Sequence, residues 1–77
     1  MNKVLFFAHL KDAVGEDSIE IDVAGKTVEE AKQIIAERFG AVNLDSVMTA
    51  VNEEFAMNEE IIHEGDEIAL IPPVSGG

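Results

Sequence analysis

The sequence predicts an α+β domain: a mixed β-sheet with one main helix packed across one face. Three observations carry this. The chain has 77 residues, the size of one small domain. Toward both of its ends, apolar residues alternate with a period of two, as strands with one buried face do. Between them lies one stretch of helical period, opened by a capping box and closed by a glycine.

Lys3 to Leu10 is predicted as the first strand. Val4, Phe6, Ala8 and Leu10 share one face; Leu5, Phe7 and His9 share the other. Lys3 and Lys11 belong to the odd set, so the odd face is expected to look outward. Asp12 to Asp17 is turn-like and contains Gly15. Ser18 to Val23 alternates cleanly, with Ile19, Ile21 and Val23 inward and Glu20 and Asp22 outward. The short connection makes these two strands an antiparallel hairpin.

After a break at Ala24 to Lys26, Thr27-Val28-Glu29-Glu30 matches the capping box, with Thr27 as N-cap. The two early glutamates suit the positive end of the helix dipole. Val28, Ala31, Ile34, Ile35 and Phe39 follow at helical spacing, with Glu30, Lys32, Gln33, Glu37 and Arg38 mostly on the other side. Gly40 ends the helix.

Ala41 to Ser46 is a loop and Val47 to Val51 a strand. Asn52-Glu53-Glu54 is a turn leading to a short strand at Phe55 to Met57. Ile61 and Ile62 precede a second turn at Gly65-Asp66. Glu67 to Ile71 is the last strand, with Ile68 and Leu70 on one face and Ala69 and Ile71 on the other. Pro72-Pro73 ends it, because neither ring can donate a ladder hydrogen bond. Strand, strand, helix, strand, short strand, strand is the order of the β-grasp, or ubiquitin-like, arrangement, with a right-handed crossover through the helix. The globular domain is expected over residues 1–73, with residues 74–77 as a flexible Gly-Gly tail.

Composition excludes several functions. Sixteen Asp and Glu stand against five Lys and Arg, a formal net charge of -11. A chain so acidic repels phosphate backbones, so nucleic acid is not an expected partner. With no cysteine there is no disulfide, no thiolate metal site and no Cys nucleophile. His9 and His63 are too few to build a zinc site alone, so no metal is expected. No stretch approaches the ~20 apolar residues of a membrane span, and the N-terminus lacks a signal-peptide pattern. The expected location is the cytoplasm, away from membranes. A domain this small has little volume for a catalytic cleft, which favours a carrier, adaptor or subunit over a self-sufficient enzyme.

Three features remain as functional candidates. The tail Val74-Ser75-Gly76-Gly77 follows two prolines that restrict its exit. Glycines without Cβ can thread a narrow channel and present the Gly77 carboxylate to another protein's active site; a frayed terminus is the bland alternative. The second is the sheet face away from the helix. One helix covers one face, so Leu5, Phe7, Ala69 and Ile71 form an exposed apolar patch suited to a protein partner. The third is the acidic surface of Glu53-Glu54, Glu59-Glu60 and Glu64 to Glu67, read mainly as a solvated face that can steer toward basic partners.

Val4-Leu5-Phe6-Phe7-Ala8, Ala50-Val51-Asn52, Gly65-Asp66-Glu67-Ile68-Ala69 and above all Ile71-Pro72-Pro73-Val74-Ser75-Gly76-Gly77 closely resemble the small, sulfur-carrying subunit of molybdopterin synthase. The likeness runs the whole length, and the terminal Pro-Pro-Val-Ser-Gly-Gly is its specific part. His9 stands where many relatives carry an arginine or another polar residue. The resemblance implies that an ATP-dependent enzyme adenylates the carboxylate of Gly77 and that sulfur transfer then yields a thiocarboxylate. It implies insertion of Val74, Ser75 and Gly76 into the large subunit, which holds the catalytic residues and builds molybdopterin from cyclic pyranopterin monophosphate. It further implies a heterotetramer, docking through Phe7, Phe55, Ile71 and Pro73, and no stably bound cofactor, with ATP consumed by the activating enzyme. A sulfur carrier of the thiazole pathway, a ubiquitin-like protein modifier and a plain interaction domain are the alternatives. The Pro72-Pro73 pair argues against the thiazole type.

Overall fold

The computed structural model describes residues 1–40, 44 and 47–72. Two strands come first in space: β1 (Asn2–Phe6) and β2 (Ser18–Ile21), joined through a short helix α1 (His9–Val14). The main helix α2 (Val28–Phe39) follows, then β3 (Met48–Val51), β4 (Glu54–Ala56) and β5 (Glu67–Ile71). The strand order across the sheet is β2-β1-β5-β3-β4. β1 pairs antiparallel with β2 and parallel with β5, while β3 pairs antiparallel with both β5 and β4. This is the expected mixed β-grasp sheet.

The first strand is shorter than predicted. It stops at Phe6, and Leu10 enters the core from α1 instead of from a strand. Leu10 and Val14 lie four residues apart, so both turn inward on the helix, whereas Ala8, expected inward, is exposed. The switch is made at Ala8, which adopts φ 54 and ψ -135, a region that L side chains resist. Gly15, with φ 84, closes α1 through its N–H to the Lys11 carbonyl, 2.9 Å away. The segment from Asp12, read as a turn, is therefore partly helical, and His9 begins the helix.

The start of α2 is as the sequence prescribes. The Thr27 hydroxyl accepts from the Glu30 N–H at 3.1 Å, and the Glu30 carboxylate accepts from the Thr27 N–H at 2.9 Å. These bonds to the charged form hold the Glu30 carboxyl below the usual range. The tertiary structure satisfies two more free donors of the first turn. The Val28 N–H donates to the Glu60 carbonyl (2.9 Å) and the Glu29 N–H to the Asn58 carbonyl (3.1 Å). Lys32 corrects the predicted polar face: it is buried, and its Nζ donates to the Val47 carbonyl (3.3 Å) and to Asn58 Oδ1 (3.2 Å). Its aliphatic stem packs while its charged end ties α2 to the residues flanking β3 and β4.

The core gathers Val4 and Phe6 of β1, Leu10 of α1, Ile19 and Ile21 of β2, Val23, the inner face of α2, Ile62, and Ile68 and Leu70 of β5. Phe6 and Phe39 meet edge to face at 5.9 Å, closing the end of α2 onto β1.

Asn2 is buried, 1% exposed, among these apolar groups. Its Nδ2 donates to the carbonyls of His63 (2.8 Å) and Asp66 (3.0 Å), and its Oδ1 accepts from the Val23 N–H at 3.2 Å. One amide thus ties three distant segments together. A second clamp lies beside it. Asn52 donates to Asp66 Oδ1 at 2.8 Å and accepts from the Glu67 N–H at 2.9 Å, while the His63 N–H donates to Asp66 Oδ2 at 2.9 Å. The His63 N–H and then the Asn52 amide hold the Asp66 carboxyl below the ordinary aspartate range.

Three outcomes are expected. Asn2→Ala removes three hydrogen bonds, to the His63 and Asp66 carbonyls and from the Val23 N–H, and should destabilise the domain by about 2–4 kcal/mol in urea unfolding. Ala8→Gly should stabilise it by about 1 kcal/mol, because glycine tolerates the positive φ. Asp66 contributes stability that is complete above the unfolded aspartate value, about pH 4, and is lost as pH falls through its lowered folded value. The stability gap between wild type and Asp66→Asn should therefore narrow on acidification below about pH 4; a gap that does not change with pH would refute the clamp.

Candidate functional site

The sheet registers assemble the outward face row by row. Ser18 stands opposite Leu5, Leu5 opposite Ala69, Ala69 opposite Ala50, and Ala50 opposite Phe55. Residues in one such row project from the same side of the sheet. The row therefore crosses all the strands and is apolar from Leu5 to Phe55. The next row toward the C-terminal end of β5 contains Ile71 opposite Met48. One step beyond the paired residues of β1 and β4 lie Phe7 and Met57.

Of the predicted patch, Leu5, Ala69 and Ile71 share this face, and Phe7 follows one step past the paired end of β1. Phe7 is 45% exposed and Phe55 is 73% exposed, while Leu5, Ala69 and Ile71 are half-buried. The structure adds Met48 and Met57, which are 45% and 67% exposed. Sequence reading missed them because their membership depends on the register between β3, β4 and β5. The alternation of Met48 with Ala50, and of Phe55 with Met57, was the available signal.

The opposite end of the same face is charged. Lys3 pairs with Glu20 on one side and Glu67 on the other. The face therefore divides into an apolar half near Ile71 and a polar half near the N-terminus. Pro72, directly after β5, is buried. The predicted tail residues Pro73, Val74, Ser75, Gly76 and Gly77 lie outside the described residues. β5 ends at Ile71 in the apolar half, because β1 and β5 run parallel and Phe7 follows Phe6, which pairs with Leu70.

Beyond Arg38 the sequence carries no Lys or Arg, so the β3–β5 half of the molecule has only acidic formal charges. Glu53, Glu54, Glu59, Glu60 and Glu64 are all exposed. Among the described residues, no group of three or more His, Cys, Asp or Glu could hold a metal ion, and no helix is long and apolar enough to cross a membrane. His9 is exposed on α1, and His63 lies 3.8 Å from Asp66 on the surface.

Comparison with known proteins gives this face its relatives. The ThiS family model matches residues 4–77. The molybdopterin synthase sulfur carrier subunit of Escherichia coli is 37% identical, with all of both chains covered. Among solved structures, SAMP1 from Haloferax volcanii superposes with a TM-score of 0.83 at 30% identity, covering 99% of this chain and 98% of that one. The complex of subunits 1 and 2 of molybdopterin-converting factor from Helicobacter pylori contains a chain with a TM-score of 0.70 at 27% identity, covering 99% of this chain and 97% of that one. With the β-grasp sheet, its apolar half-face and this full-length likeness together, the chain belongs to the ThiS family, alongside the sulfur carrier subunits of molybdopterin synthase.

Proposed function

We propose that this protein is the sulfur carrier subunit of a molybdopterin synthase. The observation that carries the reading is the full-length likeness to the Escherichia coli carrier subunit. The chain's chemistry agrees with it: without cysteine, sulfur can travel only on the main-chain terminus.

The Gly77 carboxylate is a poor electrophile. An ATP-dependent adenylating enzyme converts it to a glycyl adenylate and releases pyrophosphate. Sulfur from a donor then displaces AMP and leaves a thiocarboxylate on Gly77. Val74, Ser75 and Gly76 pass into the large subunit, whose residues perform the chemistry. Two such deliveries convert cyclic pyranopterin monophosphate into molybdopterin in a heterotetramer of two small and two large subunits. Phe7, Phe55, Ile71 and Pro73 form the docking surface, and buried aromatic anchors of this kind dominate interface energies. No cofactor stays on the carrier; ATP is consumed by the activating enzyme. The complex of the two converting-factor subunits from Helicobacter pylori supports a large-subunit partner. A cytoplasmic site fits a cysteine-free chain whose described helices include none able to span a membrane.

A second reading is favoured by one observation: the small archaeal modifier protein 1 of Haloferax volcanii shares the fold at a TM-score of 0.83. The same activated Gly77 would then be joined to lysines of target proteins.

Intact mass of the protein from its native cell should show one oxygen replaced by sulfur at Gly77. Lysine adducts would favour the modifier, and a terminus unchanged after incubation with activating enzyme, ATP and sulfur donor would refute both. Deleting Gly77, or adding a residue after it, should abolish molybdopterin formation with the circular dichroism spectrum unchanged. Phe7→Asp should weaken large-subunit binding by about tenfold or more without unfolding the domain; retained affinity would overturn the docking face.

A further inference from the structure

We propose that Met48 and Met57 form an oxidisable modification site, at which conversion to methionine sulfoxide by a peroxide releases the carrier from its large subunit. The inference rests on the carrier reading above and concerns the regulation of its docking face.

The chain has three methionines and no cysteine, so their thioethers are its only side-chain sulfurs. Met48 stands opposite Ile71 in the β3–β5 register. Thr49 pairs with Ala56 between β3 and β4, so one step along the same antiparallel register sets Met57 beside Met48. Both sulfur side chains therefore lie between Ile71 and the free edge of β4, in the apolar half of the sheet. Their exposures of 45% and 67% leave them open to a dissolved oxidant. The other apolar side chains of that half, Leu5, Phe7, Phe55 and Ile71, resist peroxide. Met1 is also exposed but precedes β1, at the charged end of the face.

The reaction balances without further components. Peroxide transfers one oxygen atom to the thioether sulfur, which is oxidised; the peroxide is reduced and leaves as water. The product replaces a flexible apolar chain by a polar, chiral one. Its oxygen is a strong acceptor that is hydrated in the free carrier. Docking against an apolar partner surface would strip that water and leave the acceptor unpaired.

The test oxidises the full-length carrier alone with hydrogen peroxide, removes the oxidant, and locates the added oxygens by peptide mass mapping. Binding to untreated large subunit is then measured by titration calorimetry. Sulfoxide at both positions should raise Kd by about tenfold or more. Methionine sulfoxide reductase with a thiol reductant should restore it. The double variant Met48→Leu/Met57→Leu, compared with its own untreated form, should show no change in Kd after peroxide. An unchanged Kd with both sulfoxides present would overturn the inference, as would equal weakening of the double leucine variant. Failure of the untreated carrier to bind the large subunit would overturn the carrier reading, and this inference with it.

Discussion

The parallel pairing of β1 with β5 is the contact on which the rest of the molecule depends. It joins the first strand to the last, residues 64 positions apart in the case of Lys3 and Glu67, and leaves β3 to pair on the far side of β5. A long-range parallel pair has no turn to set its register, so other groups must. The Asn2 amide does this where the pairing begins, by binding the carbonyls of His63 and Asp66 just before β5. Hydrophobic burial alone would tolerate a slip of two residues, since that keeps every side chain on its face. A buried amide with two specific carbonyl partners does not.

The same pairing decides the polarity of the outer face. Because β1 and β5 run together, Phe7 and Ile71 emerge at one end, and Lys3 and Glu67 at the other. The strongly negative charge keeps the second end and the surrounding loops in water. It makes no comparable demand at the apolar end, where partner contacts can exclude solvent. A domain of 77 residues has enough apolar material for one core and, on the outer face of the sheet, one exposed apolar half.

Local chemistry was the most legible part of the sequence. The Thr27–Glu30 capping box and Gly40 bracket α2, and β5 runs over the predicted residues, because caps and strict alternation act within a few residues. α1 was missed because Val4, Phe6 and Leu10 also satisfy a period of two, and six residues are too few for helical periodicity to compete. What ends β1 is the turn at Ala8, a strained alanine that no propensity scale would choose. Lys32 was misplaced for a different reason. Its charge predicts solvent, but the Val47 carbonyl and the Asn58 amide meet its Nζ inside. Met48 and Met57 could not be added to the apolar face before the register of three strands was known.

The sequence by itself determined the strands, the main helix and its boundaries, the apolar partition of most strands, and the absence of cysteine that excludes disulfide and thiol chemistry. These follow from short-range sterics, from capping and from side-chain inventory. Only the tertiary structure decided which residues of separate strands share a row, which polar groups are buried, and which end of the sheet is apolar. Those properties depend on the registers of β1, β3 and β5, and registers are fixed by hydrogen bonds between segments that lie far apart along the chain.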